Sequence, residues 1–279
     1  MNYIKVSKMA AYSVLMSVYK NEKPEFLKTA IESMLNQSVA TDDFVLVCDG
    51  PLTDSLDEVI SNFEKTNPGL FNVIRLPNNV GLALALNEGI THCKNEIVAR
   101  MDSDDFSKPE RIEKQLEAME ENGVDIVGTN VFEFNGDITR LTGERNLPEL
   151  DEDIREFAKS RSPFNHPSVV YKKSKVDLVG GYGKFDYFED YYLWITLLQN
   201  GCKGYNVQEP LLLMRAGDDL YLRRGGKEYA KCIKAFEKHL LSVGYISRFN
   251  YLTQTGVRVA IALMPNKFRE KIYKKKLRG

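Results

Sequence analysis

Three aspartates lie within four consecutive positions of the chain: Asp102, Asp104 and Asp105, with Ser103 between the first two. Carboxylates this close repel each other unless a cation or solvent relieves the charge. Oxygen ligands suit Mg²⁺ or Mn²⁺, which proteins bind through one or two carboxylates together with substrate phosphates. The alternative is helix capping, because acidic residues ahead of Pro109 would also complement the dipole of a following helix. Of the two, we favour the metal site.

A second acidic pair, Glu189 and Asp190, begins a stretch with helical spacing over 189–200 that ends at Gly201. Acidic residues in a first turn stabilise a helix through its dipole, which is the purely structural interpretation. The catalytic interpretation is a general base that takes a proton from an incoming hydroxyl group. A helix that opens toward a cleft would let this pair reach a substrate.

Other polar residues follow strand-like runs. Asp49 with Gly50 could bind a ribose or the edge of a base, although alone this pair is more typical of a turn. Tyr19 could stack on a base or simply end its strand. Ser17 and Glu22 belong to the same strand end as Tyr19. Together these residues outline a ligand site of moderate specificity.

Three arginines lie close to glycines in the segment 214–226: Arg215, Arg223 and Arg224. Arginine forks suit phosphate oxygens, and glycine lets the backbone approach a ligand closely. Taken alone, the segment fits a solvated basic loop better than a phosphate site.

Apolar runs and amphipathic stretches alternate in the first half of the chain, and these elements must position the polar residues. Continuous apolar runs indicate buried strands, and apolar residues at helical spacing indicate covering helices. Regular alternation predicts an α/β fold with a mostly parallel central sheet and helices on both faces, with ligands at the carboxyl ends of the strands. The predicted strands are 12–19, 44–48, 71–76, 97–101 and 125–130, and the predicted helices are 24–36, 56–63, 81–93 and 109–121.

The second half is less regular. It predicts a hairpin over 132–146 around Asn135 and Gly136, a short acidic helix over 150–160 and a strand over 167–171. With the helix over 189–200, these elements indicate a smaller α+β half packed on the same sheet.

The composition excludes several classes of protein. With 279 residues, 43% apolar and 28% charged, the chain suits a globular protein with one large or two modest domains. A net charge of -1 disfavours nucleic-acid binding through bulk charge. No apolar stretch is long enough to span a membrane. The four cysteines lie far apart without a CxxC pair, and no signal peptide is evident, which indicates reduced thiols in the cytoplasm: Cys48, Cys93, Cys202 and Cys232.

Five short segments occur in a characteristic order: SVY (17–19), CDG (48–50), GLALALNEGI (81–90), MDSDD (101–105) and EDYYLW (189–194). In this order they resemble the motifs of family 2 glycosyltransferases of the GT-A fold, over about residues 12–214. The segment MRAGDDLYLRRGG (214–226) resembles a subgroup that builds bacterial capsular and exopolysaccharides. The resemblance implies an inverting transfer from a nucleotide-diphosphate sugar to a lipid-linked or glycan acceptor, assisted by Mn²⁺ or Mg²⁺.

The family pattern also implies residue roles. Asp190 would be the catalytic base with Glu189 beside it, and Asp104 the main metal ligand with Asp102 nearby. The nucleotide-sugar site implied by the resemblance comprises Ser17, Tyr19, Glu22, Asp49, Asn87, Asp102, Ser103, Arg223 and Arg224.

The sequence departs from the family pattern in three places. Leu86 precedes Asn87 where many relatives carry arginine, so we expect Arg223 or Arg224 to contact the diphosphate instead. Cys48 stands where many relatives have a second acidic residue. The QxxRW motif of processive synthases is absent, which favours addition of one sugar over polymerisation.

The domain organisation predicted from these motifs is a GT-A domain over 1–226 followed by a helical basic tail over 227–279. Within the domain, 1–130 would bind the nucleotide sugar and 131–226 would supply the acceptor side and the base. A nucleotidyltransferase is the enzymatic alternative, but the segment near residue 20 lacks a glycine-rich loop. A sugar-nucleotide-binding scaffold is the non-catalytic alternative, and the presence of both acidic sites argues against it.

The charge is concentrated at one end, because 248–279 carries nine Lys/Arg and one Glu. Val257, Ala260, Ile261 and Met264 follow helical spacing. Apolar insertion with basic attraction is the two-part signal for interfacial binding, so we expect a cytoplasmic protein that lies peripherally on the anionic inner face of a bacterial membrane. The alternative is that the apolar face packs on the catalytic domain.

Overall fold

The first four strands form one parallel half of the central sheet. The structure, a computed structural model, describes residues 10–217, 224–266, 268, 269 and 272. Parallel pairing gives the order β3-β2-β1-β4, so the strand order reverses between β1 and β4. These elements are β1 (Tyr12–Val18), α1 (Pro24–Leu35), β2 (Asp43–Cys48), α2 (Asp54–Thr66), β3 (Phe71–Arg75), α3 (Leu82–His92) and β4 (Ile97–Asp102).

This reversal places a crevice at the carboxyl ends of β1 and β4, the usual ligand position in open α/β sheets. Ser17 of β1 pairs with Asp102 of β4 at this end of the ladder. The predicted strands and helices of this half are confirmed, although α2 is longer than the predicted helix because polar residues extend it at both ends.

The second half adds five strands to the same sheet. The sheet continues β4-β8-β6-β9-β5, and β7 pairs with β6. Antiparallel ladders join β4 to β8, β8 to β6, β6 to β7 and β9 to β5, whereas β6 and β9 are parallel. The elements are β5 (Phe106–Ser107), α4 (Arg111–Asn122), β6 (Ile126–Phe134), β7 (Leu141–Arg145), α5 (Asp151–Phe157), β8 (Val170–Lys172), α6 (Lys173–Leu178), α7 (Glu189–Gln199) and β9 (Gly204–Arg215).

The predicted hairpin is confirmed, with Gly136 at a φ of 74° in the turn between β6 and β7. Strand β9 is not predicted from the sequence, because polar residues and Pro210 interrupt its apolar pattern. Proline is tolerated there since the β6–β9 register shifts at this position, and a bulge needs no ladder donor from it.

Two apolar cores fill the two faces of the sheet. Alternate residues of a strand point to opposite faces, so Leu15 joins one core and Met16 the other. All four cysteines are free, as expected, with Cys93 in the first core and Cys48 in the second. Burial raises the pKa of the Cys48 thiol to about 11 and that of Cys93 to about 12.

Two further helices, α8 (Gly226–Ser242) and α9 (Arg248–Leu263), pack on the first of these cores. The Phe236 ring of α8 stacks on Phe188 with centroids 4.8 Å apart. Among the described residues, no helix is both long and apolar enough to cross a bilayer.

Candidate active site

A cleft of about 1430 Å³ opens at the carboxyl edge of the sheet, between the β1–β4 crevice and the first turn of α7. Its walls bring together residues that are up to about 250 positions apart in sequence. Predicted site residues that line it are Ser17, Tyr19, Glu22, Asp49, Asp102, Ser103, Asp104, Glu189, Asp190 and Arg224. Asn87 is not among the lining residues, and Arg223 lies outside the described part of the chain.

The acidic cluster lies at the end of β4. One carboxylate oxygen from each of Asp102, Asp104 and Asp105 falls within 4.8 Å of the others. Burial, and then the charges of Asp102 and Glu22, raise the pKa of Asp104 to about 7. Burial and the neighbouring aspartates also raise the pKa of Asp105 well above its ordinary value. A divalent cation would relieve this repulsion, so the donor set fits Mg²⁺ or Mn²⁺.

The capping alternative for this cluster is not supported by the structure. Helix α4 begins at Arg111, and its N-cap residue is Glu110, which makes no side-chain capping hydrogen bond. Asp105 instead turns inward, where its Oδ1 accepts a hydrogen bond of 2.7 Å from the backbone N–H of Arg215. This bond ties the acidic turn to the end of β9.

Arg100 lies beneath the cluster, and sequence reasoning missed it. Its side chain is 1% exposed and forms an ion pair with Asp102. Nε and Nη1 of its guanidinium have no hydrogen-bond partner among the described residues. The sequence signal was a lone charge within the apolar run 97–101.

The positive charge of Arg100 also acts on His166. Burial, and then the Arg100 charge, hold the pKa of His166 well below its ordinary value, so the imidazole is neutral. Its Nε2 lies 3.0 Å from the Tyr182 hydroxyl. His166 lines the cleft. The sequence did not predict His166 or Tyr182 as part of the site.

Glu22 links the loop after β1 to the acidic turn. The Ser103 hydroxyl donates a hydrogen bond of 2.6 Å to Oε2 of Glu22. Tyr19, in the same loop, is 43% exposed, so its ring is accessible from the cleft.

Asp49 organises the neighbouring loop. Its carboxylate accepts hydrogen bonds from the backbone N–H groups of Val80, at 2.7 Å, and Gly81, at 3.1 Å, and from the Asn79 side chain. Gly50 follows at a φ of 86°, and a Cβ there would lie 2.6 Å from the Asn79 nitrogen. Asp49 therefore stabilises a turn, as the structural interpretation expects. Its contact with a nucleoside stays a prediction.

Asn87 has a different position from the one expected. Its side-chain nitrogen donates to the Tyr182 carbonyl at 2.9 Å, and its side-chain oxygen accepts from the Tyr182 N–H at 2.7 Å. The Asn87 side chain thus joins α3 to the loop before α7. Its direct contact with the nucleotide sugar stays a prediction, and this arrangement does not favour it.

The acidic pair Glu189 and Asp190 begins α7 and lines the same cleft. The Ser162 hydroxyl donates to Oδ2 of Asp190 at 3.2 Å. Burial raises the pKa of Asp190, against which the Tyr191 N–H, Ser162 and then Arg100 act. Burial, and then the Asp190 charge, raise the pKa of Glu189 to about 7. Two carboxyl groups with raised pKa values are suited to proton transfer near neutral pH.

The comparison with protein families bears on this geometry directly. A sequence model described as "Glycosyl transferase family 2" matches residues 13–177, more than half of the chain. The chain belongs to glycosyltransferase family 2. The matched region contains the β1–β4 crevice and the acidic cluster, while the Glu189–Asp190 pair follows it in sequence.

Two relatives from this family match nearly the whole chain. A UDP-Gal:alpha-D-GlcNAc-diphosphoundecaprenol beta-1,3-galactosyltransferase of Escherichia coli is 38% identical over 275 residues, which cover 96% of each protein. The amylovoran biosynthesis glycosyltransferase AmsE of Erwinia amylovora is 37% identical over 272 residues, covering 96% of this chain and 100% of that protein.

Solved structures share the fold of this family 2 chain. S. aureus TarS 1-349 in complex with UDP-GlcNAc has a TM-score of 0.64 at 17% identity, covering 83% of this chain and 66% of that one. The mannosyltransferase PcManGT of Pyrobaculum calidifontis, in complex with GDP-Man and Mn²⁺, has a TM-score of 0.62 at 14% identity over 94% of this chain and 72% of that one. These similarities confirm the predicted GT-A architecture, and family membership confirms that the chain is a glycosyltransferase.

Proposed function

We propose that the chain transfers one sugar, with inversion, from a nucleotide-diphosphate sugar to a lipid-linked glycan acceptor in bacterial surface polysaccharide synthesis. One observation carries this proposal: the Asp102–Asp105 cluster and the Glu189–Asp190 pair line the same cleft. Departure of the diphosphate and deprotonation of the acceptor can then occur around the same anomeric carbon. The UDP-Gal donor and diphosphoundecaprenol-linked acceptor of the E. coli relative support the choice of donor and acceptor class, and the amylovoran biosynthesis relative supports the role in polysaccharide synthesis.

Asp104 and Asp102 are the residues we assign to a bound Mn²⁺ or Mg²⁺. The cation, when bound, neutralises the negative charge of the leaving diphosphate. The ion pair with Arg100 orients the Asp102 carboxylate. The hydrogen bond from Ser103 to Glu22 fixes the turn beside it. The raised pKa of Asp104 supports this assignment, since it reflects crowded negative charge.

The donor nucleotide is assigned to the β1–β2 side of the cleft. The accessible ring of Tyr19 is suited to stack on the base, with Ser17 and Asp49 at the neighbouring strand ends. Arg224 lines the cleft nearer Asp190, where its cation lowers the pKa of that carboxyl group. We assign Arg224 to the diphosphate, in place of the arginine missing before Asn87.

Asp190 is assigned as the general base. The acceptor hydroxyl loses its proton to the Asp190 carboxylate while its oxygen forms the new bond to the anomeric carbon. The bond from that carbon to the diphosphate oxygen breaks, and the electron pair leaves with the diphosphate. Ser162 orients Asp190 through its hydrogen bond, and Glu189 beside it raises the basicity of the pair.

We further propose that the protein lies peripherally on the inner face of the cell membrane. The support is the tail charge of nine Lys/Arg against one Glu over 248–279 and the lipid-linked acceptor of the E. coli relative. Each basic residue near an anionic surface contributes about 1 kcal/mol. Salt dependence of binding to anionic vesicles tests this electrostatic part.

The decisive experiment uses purified full-length protein with a panel of UDP- and GDP-sugars, with and without Mn²⁺. A short-chain lipid diphosphate that carries one sugar serves as acceptor. Metal-dependent release of nucleotide diphosphate with a product heavier by one sugar would establish the transfer. Thermal stabilisation by a nucleotide sugar without any turnover would instead indicate a binding or scaffold protein.

A further inference from the structure

Helix α9 is a wall of the active-site cleft as well as part of the tail. Gln254, Val257 and Ile261 are spaced by three and four residues, and all three line the cleft that contains Asp190. The sequence predicted a separate tail after 226, so this participation in the site was not expected. The acceptor side of the cleft is therefore completed by a segment about 60 residues beyond the base.

The outer face of the same helix carries no charged residue. At 100° per residue, positions 249, 252, 256, 260 and 263 fall on one side of α9. Phe249 is 73% exposed, Leu252 is 69% exposed and Leu263 is 54% exposed. The four residues of the predicted apolar face follow one side of the helix, where Val257 and Ala260 are exposed and Ile261 and Met264 are half-buried. An apolar surface of this kind on a soluble domain marks an interaction site.

Contacts on the opposite side of α9 fix the orientation of this apolar face. Arg258 Nη1 lies 2.6 Å from Oε1 of Glu237 on α8, and the Glu237 side chain is fully buried. The Arg258 guanidinium also donates to the Ser160 carbonyl. Thr255 and Ala262 are buried on the same side. Because α9 is held this way, its apolar outer face stays directed to the outside.

Val257 joins the two surfaces. It is 52% exposed and also lines the cleft, so the outer apolar face meets the acceptor side of the site at this residue, with Thr253 one turn away. We propose that the outer face of α9 lies in the interfacial layer of an anionic bilayer and opens the cleft onto the membrane surface. A lipid-linked acceptor then reaches Asp190 past Val257 and Ile261 while its lipid chain stays in the bilayer.

A bilayer is the occupant that the charges favour. The exposed face is apolar and uncharged, Arg248 begins the helix, and the sequence after Pro265 is rich in lysine and arginine. Apolar insertion flanked by basic residues is the arrangement that binds anionic lipid surfaces. The identity of the acceptor in this inference rests on the proposed function. Membrane binding by the outer face of α9 does not, because it is measured without any substrate.

The test compares two double variants of the full chain that remove similar exposed apolar area without adding charge. Phe249→Ser with Leu252→Ser alters the outer face of α9. Leu150→Ser with Leu178→Ser is the matched control, because those leucines are 54% and 70% exposed elsewhere. The first measurement is co-sedimentation with vesicles that contain anionic lipid. The second is transfer to a long-chain lipid diphosphate sugar in those vesicles and to a short, water-soluble analogue.

We expect the α9 variant to lose vesicle binding and long-chain transfer by about tenfold or more, with transfer to the soluble analogue unchanged. The control variant should match the wild type in every assay. Equal vesicle binding by both variants, or equal losses on the two acceptors, would overturn the inference. Conversion of a wild-type dimer to a monomer by the α9 variant, without a change in vesicle binding, would show that a second copy covers this face. If the wild type glycosylates neither acceptor, the proposed function fails. The vesicle measurement still decides whether the outer face of α9 binds the membrane.

Discussion

Arg100 contacts Asp102 from inside the sheet, two residues earlier on the same strand and on the same face of it. The guanidinium is 1% exposed, whereas the Asp102 carboxylate is 34% exposed and faces the cleft. The arginine charge also acts on Asp105, His166, Glu189 and Asp190. The buried Arg100 cation therefore acts on both the acidic cluster and the base.

The first prediction concerns this residue. Arg100→Met should leave the fold intact, because the carboxylate that loses its partner, Asp102, is 34% exposed and can be hydrated, unlike a fully buried carboxylate. Turnover with Mn²⁺ should fall by about 10 to 100-fold, as is usual when a residue that orients a metal ligand is lost. Arg100→Lys keeps the charge and should recover part of the rate. Wild-type turnover in Arg100→Met would show that the ion pair has no effect on the reaction.

The second prediction concerns the metal. Asp104→Asn should abolish the Mn²⁺-stimulated rate, because it removes the carboxylate assigned as the main ligand. The melting temperature of the metal-free protein should stay the same or rise, since the substitution also relieves crowded negative charge. Initial rates against Mn²⁺ concentration and thermal denaturation measure both effects, with Asp153→Asn on the exposed surface of α5 as control. A normal metal response in Asp104→Asn would remove this residue from the mechanism.

The third prediction concerns the base. Asp190→Asn should reduce transfer by roughly 10² to 10⁴-fold, the usual range for a positioned general base. Binding of the donor, measured by calorimetry, should change little. Glu189→Gln should be affected less, because Glu189 is assigned beside the base. If Glu189→Gln is inactive while Asp190→Asn is active, the two roles must be exchanged.

The fourth prediction concerns the pH dependence of stability. The pKa of Glu189 is raised from 4.5 to about 7, so the folded state binds this proton more tightly than the unfolded chain does. Stability from this group is therefore present below pH 4.5 and is lost as the pH rises through about 7. The loss is on the order of 2 kcal/mol. Urea denaturation of the metal-free protein at pH 5 and pH 8 should show it.

The matching variants for this measurement are Glu189→Gln and Glu58→Gln, the latter at an exposed position on α2. Glu189→Gln should reduce the change in the free energy of unfolding between the two pH values by about 2 kcal/mol, while the part that comes from the raised pKa of Asp104 remains. Glu58→Gln should leave it as in the wild type. An unchanged slope in Glu189→Gln would mean that other groups account for it.

The fifth prediction concerns the pair between α8 and α9. Arg258→Ala leaves the fully buried Glu237 carboxylate without its cation and should cost about 3 to 5 kcal/mol of unfolding free energy. The double variant Glu237→Leu with Arg258→Met should recover most of this loss. For the same reason, a chain that ends at Gly244 should be destabilised, so deletion is a poor way to test membrane binding. Chemical denaturation of the three proteins measures the effect.

Much of the fold follows from local sequence pattern. The strands β1 to β4 and the helices between them are predictable because apolar periodicity and short connections specify a βα alternation. The positions of Asp49, Asp102 and Asp104 at the strand ends follow from that alternation alone. The hairpin around Gly136 follows from turn chemistry.

The rest depends on contacts between distant segments. β9 is stabilised as a strand by β6, although its own pattern is irregular. The sequence shows Arg100 only as a charge within an apolar run, and it does not reveal the ion pair with Asp102. The place of α9 in the cleft depends on Arg258 meeting Glu237, which neither helix reveals alone. Such relationships arise from tertiary packing, which overrides local preference.

The separation of Cys48 and Cys93 into different cores has a consequence for how the molecule opens. Opening of one face of the sheet exposes Cys48 to a thiol reagent, and opening of the other face exposes Cys93. The two alkylation rates, followed under native conditions, therefore count the opening events of each face independently. Equal rates would identify a single cooperative unit, and unequal rates would identify the layer of helices that detaches first.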